Sequence, residues 1–263
     1  MPEHLGGRTD LLEVLGPLFA LIGVAIYLGL ASRGRHPGVR RRCLLWAAGS
    51  VAAAAATSGP LATAAETSCA AHMASHVLLG MLAPLLLVLA APTTMLLRSL
   101  PVSTARRVSR VLAGVPIRIL TEPVVAAVLS VGGLWLLYTT GLYAAMPHHG
   151  GLHLLVHAHL FIAGYLFTAA VISVDPMPHR RSFHHRAAVL VLALAAHDIL
   201  AKYLYAHPPD GVLAPASETG AMIMYYGGDA VDVAILVVLG ARWYRVTRPR
   251  LRRSIQRAGP TLA

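Results

Sequence analysis

Long apolar stretches alternate with short polar ones along almost the whole chain. Seven of these stretches are each close to the ~20 residues that an α-helix needs to cross the hydrocarbon core of a bilayer. Helices are expected because every backbone polar group in lipid must be satisfied within its own segment. The pattern predicts an all-α fold, a polytopic transmembrane helix bundle of seven spans. The predicted spans are approximately 11–31, 43–65, 73–97, 123–143, 152–174, 187–205 and 221–244.

Composition agrees with a membrane protein. Of the 263 residues, 56% are hydrophobic and only 13% are charged, whereas a soluble domain carries about a quarter charged residues. No polar linker separates two regions, so residues 1–263 are predicted to form a single integral membrane domain. Pro84 lies inside the third span and is predicted to kink it, because proline has no backbone N–H to donate.

The basic residues are distributed unevenly between the connections. All but Arg8 and Lys202 of the 22 lysines and arginines lie in alternate connections or in the tail. They are Arg33, Arg35, Arg40, Arg41 and Arg42; then Arg98, Arg106, Arg107, Arg110 and Arg118; then Arg180, Arg181 and Arg186; and finally Arg242, Arg245, Arg248, Arg250, Arg252, Arg253 and Arg257. Positive charge is retained on the cytoplasmic side of a membrane. The alternation therefore predicts an N-terminus outside, a C-terminus in the cytoplasm and a basic cytoplasmic tail over 245–263.

This placement also explains the formal net charge of +11. Arginines that set the orientation of the spans also attract anionic lipid headgroups. Membrane lipids are therefore expected as partners, and nucleic acid is not.

Ionisable side chains are concentrated in spans three, five, six and seven. Two histidines four residues apart share one helix face, and this spacing occurs twice. The pairs are His72 with His76 at the start of span three, and His153 with His157 in span five. Spans six and seven add further polar residues, namely His197, Asp198, Asp229 and Asp232. Such groups usually face a bundle interior or a wet cavity, and they pair.

Two imidazoles at this spacing can both reach one metal ion. We predict a metal site near the outer face in which the two histidine pairs are the ligands. The polar residues of spans six and seven would orient these ligands or balance their charge. Imidazole suits copper, zinc, iron or nickel, and sulfur ligands favour Cu(I). The candidate sulfur ligands are Cys69 and Met73, with Met81 and Met146 as further sources of thioether sulfur.

Other interpretations of the same residues stay open at this point. Histidines near a membrane surface often serve as hydrogen-bonding anchors, the aspartates of span seven can bond helix to helix, and Asp198 can pair with Lys202. The set also suits a zinc-dependent intramembrane hydrolase, with Asp198 or Asp229 as general base. A haem held by histidines of spans three and five is a further possibility.

Three stretches of the sequence together resemble a known family. The first is His72-Met73-x-x-His76 with Leu82-Ala83-Pro84-Leu85-Leu86 and Ala91-Pro92. The second is His153-x3-His157-x-His159-Leu160-Phe161, which runs on to Gly164-Tyr165-Leu166-Phe167 and Asp175-Pro176. The third is Tyr225-Tyr226-Gly227-Gly228-Asp229 with Asp232 and Trp243. From about His72 to Tyr244 the chain resembles the CtaG-type assembly factors of bacterial cytochrome c oxidase.

The resemblance implies a multi-pass protein of the bacterial plasma membrane that helps to mature a haem–copper oxidase. It implies that the protein supports copper delivery, with copper as the expected metal and zinc or haem as the alternatives. The implied partners are cytochrome c oxidase subunits or another copper chaperone, and an enzymatic activity of its own is not expected.

Overall fold

A computed structural model of the protein describes residues 11–33, 38–176 and 179–247, and these residues form helices without any β-strand. The prediction of an all-helical membrane protein is confirmed. In chain order the α-helices are α1 (Leu11–Ser32), α2 (Val39–Thr57), α3 (Gly59–Ala65), α4 (Cys69–Val77), α5 (Ala83–Leu89), α6 (Pro92–Ser99), α7 (Val102–Leu112), α8 (Val115–Leu120), α9 (Pro123–Ala127), α10 (Gly133–Thr139), α11 (Leu142–Ala145), α12 (Gly150–Ile172), α13 (Phe183–Ala206) and α14 (Ala214–Thr247).

Three short segments of other helical types complete the described chain. The first π-segment, Leu78–Leu82, joins α4 to α5, and the second π-segment, Val128–Gly132, joins α9 to α10. A 3-10 turn, Met146–His148, follows α11.

Within the described ranges, 5 helices are long and apolar enough to cross a membrane, at Glu13–Ser32, Cys69–Ser99, Gly150–Ile172, Phe183–Ala206 and Ala214–Thr247. Two further pairs of consecutive helices are also long and apolar enough when each pair is taken together, but each pair is bent. The bend is 40° between α2 and α3, and 77° between Pro123–Thr139 and Leu142–His148. The count is up to 7 if each bent pair is one span. The apolar pattern thus located these helices, with ends up to seven residues from the predicted ones, but did not indicate the bends.

The centre of the bundle is the continuous segment from α4 through the first π-segment to α5. Helix α14 packs along α4, α12 packs against the first π-segment and α5, and α2 packs against α5 from another side. Helix α1 packs mainly on α2. Tyr27 of α1 stacks on Trp46, with ring centroids 4.7 Å apart, and donates a hydrogen bond of 2.7 Å to the carbonyl of Ala90.

The first π-segment lies directly before Pro84, where the sequence predicts a kink. Because proline has no N–H, the carbonyl of Gly80 lacks the donor that an α-helix would supply. Gly164 of α12 packs against this carbonyl: a Cβ at position 164 would lie 2.0 Å from the oxygen of Gly80. The absence of a side chain at Gly164 therefore permits α12 to cross the central segment at its irregular turn.

At one end of the bundle, Asp175 caps the N-terminus of α6. Ala91 has a left-handed backbone, φ 55°, and ends the central segment. The carboxylate of Asp175 accepts hydrogen bonds from the backbone N–H groups of Thr93 at 3.1 Å and Thr94 at 2.8 Å, and from the Thr94 hydroxyl at 2.6 Å. A carboxylate at this place satisfies free N–H groups and interacts favourably with the helix dipole.

A buried and a half-buried arginine hold the neighbouring end of α12. Arg186 donates to the carbonyl of Val171 at 2.5 Å, and Arg242 donates to the carbonyl of Ser173 at 3.0 Å. These contacts and the Asp175 cap bring the ends of α12 and α14 and the starts of α6 and α13 to one side of the bundle, here called the arginine end. Arg35 lies outside the described residues, and so do the arginines of the predicted cytoplasmic tail from Arg248 onward.

Glu122 connects a further pair of segments at the arginine end. Its carboxylate accepts hydrogen bonds from the backbone N–H groups of Val124 and Val125 and lies 3.1 Å from His185 and 3.6 Å from Arg181. Burial opposes its ionisation, but these hydrogen bonds and the adjacent imidazole outweigh that effect and lower the pKa of Glu122. The carboxylate is thus held ionised beside the Arg181 guanidinium and the His185 imidazole.

Replacing Asp175 with alanine is expected to lower the free energy of unfolding by about 0.5–2 kcal/mol, the range measured for loss of helix caps. The three hydrogen bonds to α6 disappear, and the two backbone N–H groups lose their acceptor. Thermal unfolding of the purified protein in detergent measures the change. Asp210→Ala, at an exposed position, is the control and is expected to unfold like the wild type. Equal stability of both variants would show that the cap is unimportant.

Candidate functional site

The histidines predicted as ligands lie at the bundle end opposite the arginine end. His72 and His76 are in α4, and His153 and His157 are in the first two turns of α12. The His153 and His157 rings meet edge to face with centroids 4.3 Å apart, and Nδ1 of His157 lies 2.9 Å from the carbonyl oxygen of His153. The i,i+4 spacing therefore places these two imidazoles on one face of α12.

The histidines of α4 and α12 lie near one another. His72 is close enough to His153 and His157 to interact with both electrostatically. His76 interacts in the same way with His72 and His157, and also with His197 of α13. The structure thus gathers the four predicted ligands and one predicted accessory histidine into one region.

Two tyrosines that the sequence pattern did not indicate contact His72. Nε2 of His72 lies 3.2 Å from the hydroxyl of Tyr138, and the ring of Tyr143 meets the imidazole edge to face at 5.0 Å. The Tyr138 hydroxyl also donates to the sulfur of Met73 at 3.5 Å. Both tyrosines reach His72 because the chain bends between α10 and α11. The sequence signal for that bend is the short polar break at Thr140 and Gly141.

The two candidate sulfur ligands of α4 are buried against α14. A Cβ added at Gly220 would lie 2.6 Å from the sulfur of Cys69 and 3.2 Å from Cγ of Met73. Gly220 therefore gives these two side chains their space. Tyr143 lies beside the Cys69 thiol. Cys69 and Cys43 are both free cysteines.

Deeper in the bundle, His76 and His197 face each other across a small cavity. Their ring centroids are 6.1 Å apart and their planes differ by 22°. Both side chains are buried, each residue being 3% exposed, and none of their four ring nitrogens has a hydrogen-bond partner. We call the cavity between them the inner chamber. It has a volume of about 30 Å³, and its lining includes His76, Met81, Ser130, Thr168, His197 and Asp232.

The irregular turns of the backbone are located at this chamber. The first π-segment supplies Gly80 and Met81 to its lining, and the second supplies Ser130 and Val131. Isolated π-turns inside α-helices are frequent at functional sites. Gly228 of α14 makes room for the imidazole, because a Cβ there would lie 2.6 Å from Cε1 of His197.

The predicted carboxylates lie beside the chamber. Asp232 is 3% exposed, and it interacts electrostatically with Asp198 and Asp229, which are half-buried. Nδ1 of His197 is 3.9 Å from the Asp198 carboxylate, which is longer than a hydrogen bond. The ammonium of Lys202 lies over the ring of Tyr225, 5.2 Å from its centroid.

Among residues 11–33, 38–176 and 179–247, no three or more His, Cys, Asp or Glu side chains are grouped so that they could hold a metal ion. The four predicted ligands lie in one region without converging on a shared point. His76 instead faces His197, whose predicted role is to orient the ligands or balance their charge. The donor types are nevertheless those that copper and zinc bind.

Residues 25–246 match the model of a protein family described as cytochrome c oxidase caa3 assembly factor. This match covers most of the chain, including every helix that contributes to the histidine region.

The chain is also similar to three uncharacterized mycobacterial proteins. It is 29% identical over 195 residues to one from Mycobacterium bovis and to one from Mycobacterium tuberculosis, covering 72% of this chain and 29% of each relative. It is 29% identical over 194 residues to a protein of Mycobacterium leprae, covering 68% of this chain and 29% of that protein. The chain thus spans less than a third of the length of these curated relatives. No solved structure matches it.

Proposed function

Because the chain belongs to the cytochrome c oxidase caa3 assembly factor family, we propose that it helps to assemble a haem–copper cytochrome c oxidase by binding copper and handing it on. The observation that carries this proposal is the gathering of His72, His153 and His157 at one end of the bundle, with His76 one helical turn deeper. Copper is here the cargo of the protein.

The donor set suits this cargo. Imidazole nitrogen binds copper in either oxidation state, and sulfur favours Cu(I). The sulfur of Met73 lies next to the tyrosine hydroxyl that contacts His72, so a thioether is close to the imidazoles. Tyr138 and Tyr143 contact His72 and limit the rotation of its ring. The nearby carboxylates, Asp198, Asp229 and Asp232, offset the charge of a bound cation.

We further propose that each bent pair of helices is one span, so that the chain crosses the bacterial plasma membrane seven times with its N-terminus outside. The clustering of arginines at one end supports this orientation. The arginine end then faces the cytoplasm, and the histidine region faces the outer side, where an oxidase subunit or another copper chaperone would meet it.

The orientation can be tested with reporter fusions. An alkaline phosphatase fused after Pro147, which lies next to the histidine region, is expected to be exported and active. The same reporter fused after Arg107 or at the C-terminus is expected to stay in the cytoplasm and be inactive, because the adjacent arginines resist translocation. An active C-terminal fusion would mean that the number of spans or the orientation is wrong.

The assembly role is tested by deleting the gene. We expect cytochrome c oxidase activity of membranes to fall at low copper, with partial recovery when copper is added and full recovery when the gene is restored. Normal oxidase activity in the deletion strain at low copper would contradict the role. Metal analysis and an absorption spectrum of the purified protein separate the alternatives: zinc in place of copper would favour the hydrolase, and a Soret band would identify a haem protein.

A further inference from the structure

The inner chamber contains two buried imidazoles whose nitrogens have no partner in the protein. His76 comes from α4 and His197 from α13, so two separate helices place an unsatisfied polar ring at the same cavity. Buried polar groups in folded proteins are nearly always bonded to something. In apolar surroundings such a pair of rings calls for a small polar or ionic occupant between or beside them.

The distance between the rings brings both imidazoles within reach of one shared metal ion. A metal–nitrogen bond to imidazole is about 2.0 Å long, so two imidazoles on opposite sides of one ion hold their centroids about 6 Å apart, and a third ligand that bends the arrangement shortens this distance towards about 5 Å. The His76 and His197 centroids are 6.1 Å apart and the rings are stacked with an interplanar angle of 22°, so the imidazoles must turn about their side-chain bonds to aim their nitrogens at one ion. The chamber volume of about 30 Å³ exceeds the ~10–15 Å³ that a single water molecule requires, so an ion fits without expansion of the bundle.

The charges around the chamber favour a cation. Its wall includes the carboxyl group of Asp232, and none of the described residues that line it is a lysine or an arginine. Asp198 and Asp229 lie close enough to Asp232 to interact with it electrostatically. Carboxylates in a cleft with apolar walls raise the local concentration of cations.

The nature of the other donors selects among cations. Met81 of the first π-segment lines the chamber together with His76 and His197. A thioether is a soft ligand that favours Cu(I) over the harder divalent ions. This set consists of two imidazoles and one thioether. It contains only two His, Cys, Asp or Glu side chains, whereas the clusters that are absent among the described residues would contain at least three.

We propose that the inner chamber is a second metal site, in which His76 and His197 bind one Cu(I) ion and Met81 contributes its sulfur. The choice of copper rests on the proposed function, whereas the site itself rests on the chamber. His76 lies one helical turn, about 6 Å, deeper than His72 on the same helix. We call the proposed copper site at His72, His153 and His157 the outer site. A copper ion released there has His76 as its next ligand along α4, so the chamber extends the outer site into the bundle.

The experiment uses the full-length protein in detergent under anaerobic conditions. Cu(I) is titrated against a chromophoric Cu(I) chelator, and X-ray absorption reports the ligands of the bound metal. We expect the wild type to bind one Cu(I) ion more per chain than His197→Ala, and its spectrum to contain both imidazole and sulfur scattering. Met81→Leu is expected to keep the fold, lose the sulfur contribution of this site and weaken its affinity by at least about tenfold.

His207→Ala is the matched control, since His207 lies just past the end of the same helix and is exposed. It is expected to bind as much copper as the wild type. Unchanged stoichiometry in His197→Ala would overturn the proposal. If His197→Ala fails to fold, the wild-type spectrum and the Met81→Leu variant test the proposal. Absence of sulfur scattering in the wild type would overturn it, and so would a Met81→Leu variant with the same scattering and the same affinity for Cu(I) as the wild type.

Failure of this site and failure of the assembly role give different results. If the deletion strain loses oxidase activity while His197→Ala binds copper like the wild type, the assembly role stands and the chamber proposal is wrong. If the deletion strain has normal oxidase activity while the chamber binds Cu(I), the chamber proposal stands and the assembly role is wrong.

Discussion

Replacing Gly164 with alanine is expected to destabilise the protein by at least about 3 kcal/mol, the upper end of the usual cost of overpacking. The added Cβ would lie 2.0 Å from the oxygen and 3.0 Å from the carbon of the Gly80 carbonyl, and 3.4 Å from Cγ of Pro84. The first two are backbone atoms of the central segment, so no side-chain rotation can relieve the clash. Helix α12 must move away from the first π-segment, which also opens the inner chamber.

A second glycine of α12 provides a control, for which no loss of stability is expected. Gly151 of α12 has nothing within 4 Å of the position that a Cβ would take. Gly151→Ala should be neutral or stabilise the helix by up to about 1 kcal/mol, because alanine has the higher helix propensity. Thermal unfolding in detergent and the amount of protein in the membrane measure both variants. Similar behaviour of the two alanine variants would show that α12 does not cross the central segment at Gly80.

Replacing His153 or His72 with alanine is expected to lower the affinity of the outer site for copper by more than about 100-fold, since a change to a residue that only orients a ligand already costs about 10–100-fold. Each variant removes one imidazole from the set that joins α4 to α12. In the deletion strain, either variant should restore little oxidase activity. Copper titration of the purified protein and oxidase assays on membranes measure the two effects.

Two further variants make this prediction specific. Asp229→Asn removes a carboxylate next to the chamber and should weaken copper binding by about 10–100-fold, less than loss of a ligand. His184→Ala changes an exposed histidine at the arginine end and should leave copper binding and oxidase activity unchanged. If His72 and His153 serve only as anchors at the membrane surface, their alanine variants would bind copper and support the oxidase like His184→Ala.

The hydrophobic pattern alone determined where the helices lie. Stretches such as 152–174 and 187–205 became α12 and α13 with ends shifted by four residues or fewer, because about 20 apolar residues in lipid have no alternative to a helix. It also indicated which side chains share a face, since positions i and i+4 are adjacent on any α-helix. The bends within the second and fourth predicted spans were missed because only a few small or polar residues mark each of them inside a long apolar stretch.

Which helices face each other was decided by the tertiary structure. The spacing of His72 and His76 indicates a common face of α4, but the face a neighbour presents depends on the rotation and crossing point of that neighbour. Here the close approach of Gly164 to Gly80 and the space that Gly228 leaves for His197 bring His197 opposite His76. These contacts join residues more than 30 positions apart. Periodicity within a single segment carries no information about them, because they arise only when complementary surfaces of separate helices pack together.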